Sequence, residues 1–218
     1  MKRRRALRPP LGFFHTLRWL LVGAALYALL LAPAMLLNPD EAIAPIVGPS
    51  IYLTPFFGLP HLMASVQRRG WKRRLLYFTL LLVPVHLLAN YLAWRHGVET
   101  FHPERDGHEF GRNVATGAIG GFTGAALSFA LLMLLRLAPR TRGALWVAGT
   151  GVAMLTVLAA ASMAYGLSWT RALQGEIRIG QQILWYECVH LPWQALFAVF
   201  LAWLMRMRPR RAVAAPAP

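Results

Sequence analysis

Six apolar runs of about twenty residues constrain this chain more than any other feature. They cover 19–37, 46–66, 75–94, 114–135, 144–167 and 183–205, and Glu187 is the only formal charge inside them. Crossing the hydrocarbon core of a bilayer takes about 20 mainly apolar residues in a helix. Only a helix or a closed barrel satisfies its backbone polar groups there. These runs are too long for barrel strands, so the predicted fold is all-α, a polytopic bundle of six transmembrane helices. Charged residues make up 14% of the 218, against about a quarter in a soluble domain. That leaves little for a separate soluble unit. The expected organisation is a basic cytoplasmic segment 1–18, a membrane domain 19–205 and a basic, disordered cytoplasmic tail 206–218.

The distribution of Lys and Arg tests this assignment independently. With the N-terminus inside and the spans alternating, the inner segments carry Lys2, Arg3, Arg4, Arg5, Arg8 and Arg18. They continue with Arg68, Arg69, Lys72, Arg73 and Arg74, then Arg136, Arg140 and Arg142, and end with Arg206, Arg208, Arg210 and Arg211. These are 18 of the 23 basic residues. The outer side holds Arg95, Arg105, Arg112, Arg171 and Arg178, together with all eight acids. A Lys/Arg bias toward short cytoplasmic loops is the established determinant of orientation, and it is satisfied at every loop. Both termini are therefore expected in the cytoplasm of a bacterial-type cell, with the chain in the inner membrane.

Run 46–66 holds Pro49, Pro55 and Pro60, which suit a kinked helix or a re-entrant segment. Asp40 and Glu41 before it and the Arg68–Arg74 cluster after it favour crossing. Basic residues precede the first run, and Ala32-Pro33-Ala34 loosely resembles a signal-peptidase site. The run continues to Leu37, longer than a signal h-region, so an uncleaved helix is expected.

A net charge of +15 suggests nucleic acid only in a protein with a soluble fold to present a reader. Here no nucleic-acid partner is expected. The basic loops instead suit anionic lipid headgroups, and the bilayer itself is the principal partner. Cys188 is the single cysteine, so no intrachain disulfide forms.

Polar and ionisable groups at membrane depth mark sites by default. Thr79, His86 and Asn90 share one helical face in the third span, as do Glu187, His190 and Gln194 in the sixth. Thr54, Gly58, His61 and Ser65 do the same in the second. The candidate intramembrane path is thus His61, His86, Asn90, Glu187, His190 and Gln194. At 1.5 Å rise per residue, His61 falls about 7 Å to the cytoplasmic side of its span's centre. On the same scale His86 lies near the centre, and His190 and Glu187 about 6 and 10 Å outside it. Such a graded series suits the binding or passage of a proton, ion or small solute. The alternative is interhelical hydrogen bonding in a non-catalytic subunit of a larger membrane complex. Val85-His86-Leu87 with Asn90 is echoed by Val189-His190-Leu191 with Gln194, one motif in each three-helix half, as an inverted repeat would place them. Gly117, Gly120, Gly121 and Gly124 form two small-xxx-small pairs suited to close helix packing.

An enzymatic reading rests on two resemblances. Gly121-Phe122-Thr123-Gly124 resembles the rhomboid protease serine motif with threonine as nucleophile. His190 stands in the sixth span, where that family's base lies. The serine itself and the family's Gly-rich pattern after the histidine are absent. Phe57–His61 and His86–Asn90 resemble two motifs of CAAX-protease-like membrane proteins, whose paired glutamates have no counterpart here. A haem b held between His86 and His190 is a further alternative, although the sequence leaves the cofactor unknown. The loop residues His96, Glu99, His102, Glu104, Asp106, His108 and Glu109 fit no metal-ligand spacing.

Overall fold

A computed structural model describes residues 12–37, 47–65, 69–100, 109–172 and 178–207. Within them every regular element is a helix: α1 (Phe13–Leu37), α2 (Pro49–Tyr52), α3 (Thr54–Ala64), α4 (Arg69–Trp94), α5 (Glu109–Leu134), α6 (Arg142–Thr170) and α7 (Ile179–Arg206). A π-helical turn, Arg95–Thr100, prolongs α4. Five of these helices, α1, α4, α5, α6 and α7, are long and apolar enough to cross a membrane. The exterior agrees. On α6, Trp146 is 68% exposed and Trp169 is 71% exposed, 23 positions or roughly 35 Å apart along the axis. Trp at both ends of an exposed apolar helix is the pattern of a membrane–water interface.

The second predicted run folds as α2 and α3, separated at Leu53. Pro55 has no N–H to continue the ladder, and the Ser50 carbonyl beside the break accepts from the Thr54 hydroxyl at 3.2 Å and the Tyr27 hydroxyl at 3.1 Å. Together α2 and α3 extend roughly 24 Å, less than the ~30 Å core. That is why this segment is not among the five long helices.

The helices close into a ring in chain order. α1 packs on α3, α3 on α4, α4 on α5, α5 on α6, α6 on α7, and α7 returns to α1. Glycines set the closest approaches. A Cβ at Gly23 would overlap the backbone of Phe57, joining α1 to α3, and one at Gly58 would stand 2.5 Å from the Thr79 hydroxyl, joining α3 to α4. The two glycine pairs of α5 divide between its neighbours. Gly117 and Gly121 face Ala159 on α6, whereas Gly120 and Gly124 face Ala93 and Ala89 on α4. The α5–α6 turn is fixed by Arg136 in the left-handed region (φ 56°), with Leu137 N–H bonded back to the Leu132 carbonyl at 3.0 Å. Thr141 Oγ1 then caps α6 by accepting from the Ala144 N–H.

Inside the ring the two ends differ. Toward the end where α4 and α6 begin, Leu75, Phe78, Phe129, Leu132, Leu201 and Leu204 pack into a continuous buried core. Toward the other end the interior is open.

Candidate functional site

The open half is a cavity of about 470 Å³. Its lining comes from the later part of α4 (Leu82 to Trp94), the earlier part of α5 (Asn113 to Ser128), the later part of α6 (Ala159 to Leu167) and the earlier part of α7 (Gln182 to Phe197). Thr54 and Phe57 complete it from α3. Phe57, Phe129 and Phe197 meet at its base, with ring centroids 5.7 and 5.5 Å apart across the Phe57–Phe197 and Phe129–Phe197 pairs. Trp193 stacks on Phe197 at 4.9 Å. The buried apolar core continues beneath these rings.

Four of the six residues singled out in the sequence line this cavity: His86, Asn90, His190 and Gln194. The imidazoles of His86 and His190 are in edge-to-face contact, 5.1 Å between centroids, so the two echoed His motifs meet. His86 Nδ1 lies 2.7 Å from Thr54 Oγ1. His190 stacks on Tyr186 one turn earlier, at 5.6 Å and 16°, and has Tyr27 of α1 on another side at 5.8 Å. Gln194 is 8% exposed, and its Oε1 has no hydrogen-bond partner among the described residues. The same holds for the indole N–H groups of Trp185 and Trp193, both on the lining.

The other two predicted residues lie elsewhere. His61 is 1% exposed, its Nδ1 has no partner among the described residues, and it does not line the cavity. Glu187 is half-buried and also off the lining. A helical stripe groups residues by angle, but what packs beside each level of the helix decides whether they share a space. Sequence reasoning passed over the aromatic wall. Tyr186 and Trp193, four before and three after His190, share its helical face and were legible by the same spacing. It also placed Thr54 on a polar stripe without pairing it to His86, a contact that depends on the α2–α3 break.

The mouth of the cavity carries Arg112, Asn113, Thr116 and Gly97. His96 Nδ1 lies 3.0 Å from Thr116 Oγ1, and Arg112 Nε donates to Asn113 Oδ1 at 3.2 Å. Among the described residues no cluster of three metal-ligating side chains occurs. His102, Glu104, Asp106 and His108 lie outside them. The haem geometry does not fit, because His86 and His190 are in direct ring contact and leave no gap for a porphyrin plane between them. Thr123 lies off the cavity that holds His190, so the rhomboid-like nucleophile and base are not brought together.

The chain matches no family model, no curated protein and no solved structure.

Proposed function

We propose that this is a multi-pass protein of the bacterial inner membrane that binds a small molecule inside its helix ring. α2 and α3 together make the sixth crossing, the membrane domain spans 19–205, and both termini are cytoplasmic. The Lys/Arg distribution supports that topology, and it puts the mouth of the cavity on the outer side. The basic inner loops and the tail 206–218 then meet anionic lipid headgroups.

The observation that carries binding is the combination of volume and a mostly apolar lining with a few placed polar groups. Ligand sites typically measure about 300–1,000 Å³, are mostly apolar and hold a few placed polar groups. This cavity has that size and composition. His86 lines it with Nδ1 engaged by Thr54 Oγ1, so its second ring nitrogen is left for a bound molecule. Binding is favoured over passage because the polar residues gather above an aromatic floor and a packed apolar core, while His61 lies apart from them.

The test is cavity filling. Gly124 faces the lumen with Trp193 and Ala89 at ordinary contact distance from a Cβ, 3.6 and 3.7 Å. In nanodisc-reconstituted protein, a panel of neutral aromatic and aliphatic fragments is screened by quenching of tryptophan fluorescence, since Trp94, Trp185 and Trp193 all line the site. Saturable binding that is lost in Gly124→Leu, with a melting temperature no lower than that of the wild type, is expected. Binding that survives the substitution would place the ligand elsewhere and refute the assignment.

A further inference from the structure

The hydrogen bonds around Thr54 determine which nitrogen of His86 carries its proton, and thereby the chemistry of the ligand. Thr54 has one hydroxyl proton and two contacts, the Ser50 carbonyl at 3.2 Å and His86 Nδ1 at 2.7 Å. A carbonyl only accepts, so the proton must go to Ser50 for that contact to be a hydrogen bond. Thr54 Oγ1 is then the acceptor for His86, and Nδ1–H donates to it. The opposite assignment would set two oxygens 3.2 Å apart with no proton between them. Ser50 also accepts from Tyr27 at 3.1 Å, which anchors the carbonyl from α1. An unpaired buried charge is costly, and no Asp or Glu among the described residues lines the cavity, so the ring is neutral and has one proton. Nε2 therefore faces the cavity as a lone pair, and no described residue donates to it.

We infer that the ligand is an uncharged aromatic hydroxyl compound, of the phenol class, whose O–H donates to His86 Nε2. The inference rests on the binding-pocket reading above and specifies its occupant. The aromatic walls provide flat faces: Tyr186 with His190 on one helix turn, and Trp193 on Phe197 below it. Aromatic pairs of this kind favour offset or edge contacts with a further ring. Thr54 acts through His86 as a positioning residue. It holds the tautomer and does not itself need to touch the ligand.

Two probes of nearly equal shape separate the hydroxyl from mere hydrophobicity: 2-naphthol and 2-methoxynaphthalene. Titrated into the full-length protein in nanodiscs, 2-naphthol is expected to bind about five- to tenfold tighter, the worth of one buried hydrogen bond. Thr54→Val releases the tautomer and should bring the ratio of the two affinities close to one. Thr54→Ser should restore the preference. A merely structural role for Thr54 would lower both affinities together. Nitrogen-15 spectra of histidine-labelled protein provide a readout independent of binding, the His86 signals being assigned by difference against His86→Gln. Protonated Nδ1 with bare Nε2 is expected.

Equal binding of both probes, abolished for both by Gly124→Leu, would overturn the hydroxyl inference and leave the pocket intact. Tighter binding of 2-naphthoate than of 2-naphthol would overturn it in favour of an anion held at the Arg112 end. Protonated Nε2 on His86 would overturn it whatever the titrations show. If neither naphthalene binds while other fragments do, the phenol class is wrong and the pocket remains.

Discussion

Alanine substitution at Gly121 and at Gly124 separates packing from cavity on one helix. Both glycines are on α5, three residues apart, and either change replaces a poor helix former with the best one, worth up to about 1 kcal/mol. Their surroundings differ. A Cβ at Gly121 would overlap Ala159 Cβ and stand 3.1 Å from the Leu155 carbonyl and 3.3 Å from Thr156 Cα. These atoms have no side-chain torsion that could move them away, so α5 and α6 must separate. Overpacking of this kind costs about 1–3 kcal/mol. At Gly124 the nearest atoms are at 3.6 and 3.7 Å, which is ordinary contact, so no such cost arises. The propensity gain cancels between the two variants, and about 2 kcal/mol should separate them. For a chain of this size each kcal/mol moves the melting temperature by roughly 2–4 °C. Gly121→Ala should therefore melt about 4–8 °C below Gly124→Ala. Unfolding in detergent, followed by intrinsic fluorescence on monodisperse samples, measures the difference. Equal melting temperatures would show that the α5–α6 approach is looser than described here, and the division of the glycine pairs would fail with it.

Three further outcomes follow from single contacts. Tyr27→Phe removes the bond to the Ser50 carbonyl but leaves that oxygen its Thr54 partner, so a loss of about 1 kcal/mol and a melting temperature lower by about 2–4 °C are expected. His61→Leu removes a buried nitrogen with no partner among the described residues. Because an unsatisfied buried group costs about 1–3 kcal/mol, the variant should be at least as stable as the wild type in thermal unfolding, with fragment binding unaltered. Loss of binding would revive a path running through all three histidines. Thr141→Ala removes the cap on α6 and should cost about 1 kcal/mol, read as a lower unfolding midpoint with no change in ligand affinity.

The five long helices were legible because lipid demands continuous apolar length, and length is written directly in the sequence. The sixth was less so. Pro49, Pro55 and Pro60 announced an irregularity, but how far it would shorten the segment depended on where the ladder restarts at Thr54. Helical spacing grouped Thr79 with His86 and Asn90, and Glu187 with His190 and Gln194; His86, Asn90, His190 and Gln194 line the cavity, whereas Thr79 and Glu187 do not. It could not say that α4 and α7 face each other across the ring, because α4 and α7 are not among the packed neighbours in that ring. The level of His61 was estimated from its own span alone. The helix that carries it packs against α1 and α4 as well, and contacts between distant segments leave no local periodicity to read.

The same helices build a closed half and an open half, and the difference lies in what each contributes along its length. In the closed half α4 supplies Leu75 and Phe78, α5 supplies Phe129 and Leu132, and α7 supplies Leu201 and Leu204. Roughly two to three turns further along, the corresponding interior positions are His86 and Asn90, Gly120 and Gly124, and His190 and Gln194. Helix ends diverging by chance would open a gap lined with the same leucines. Here the bulky side chains are replaced on three helices at one level, by glycine where volume is left and by imidazole or amide where a hydrogen bond can be offered. A cavity of that composition gains nothing for packing. A molecule bound in it stabilises the folded chain, and its departure should be measurable as a lower melting temperature of the emptied protein.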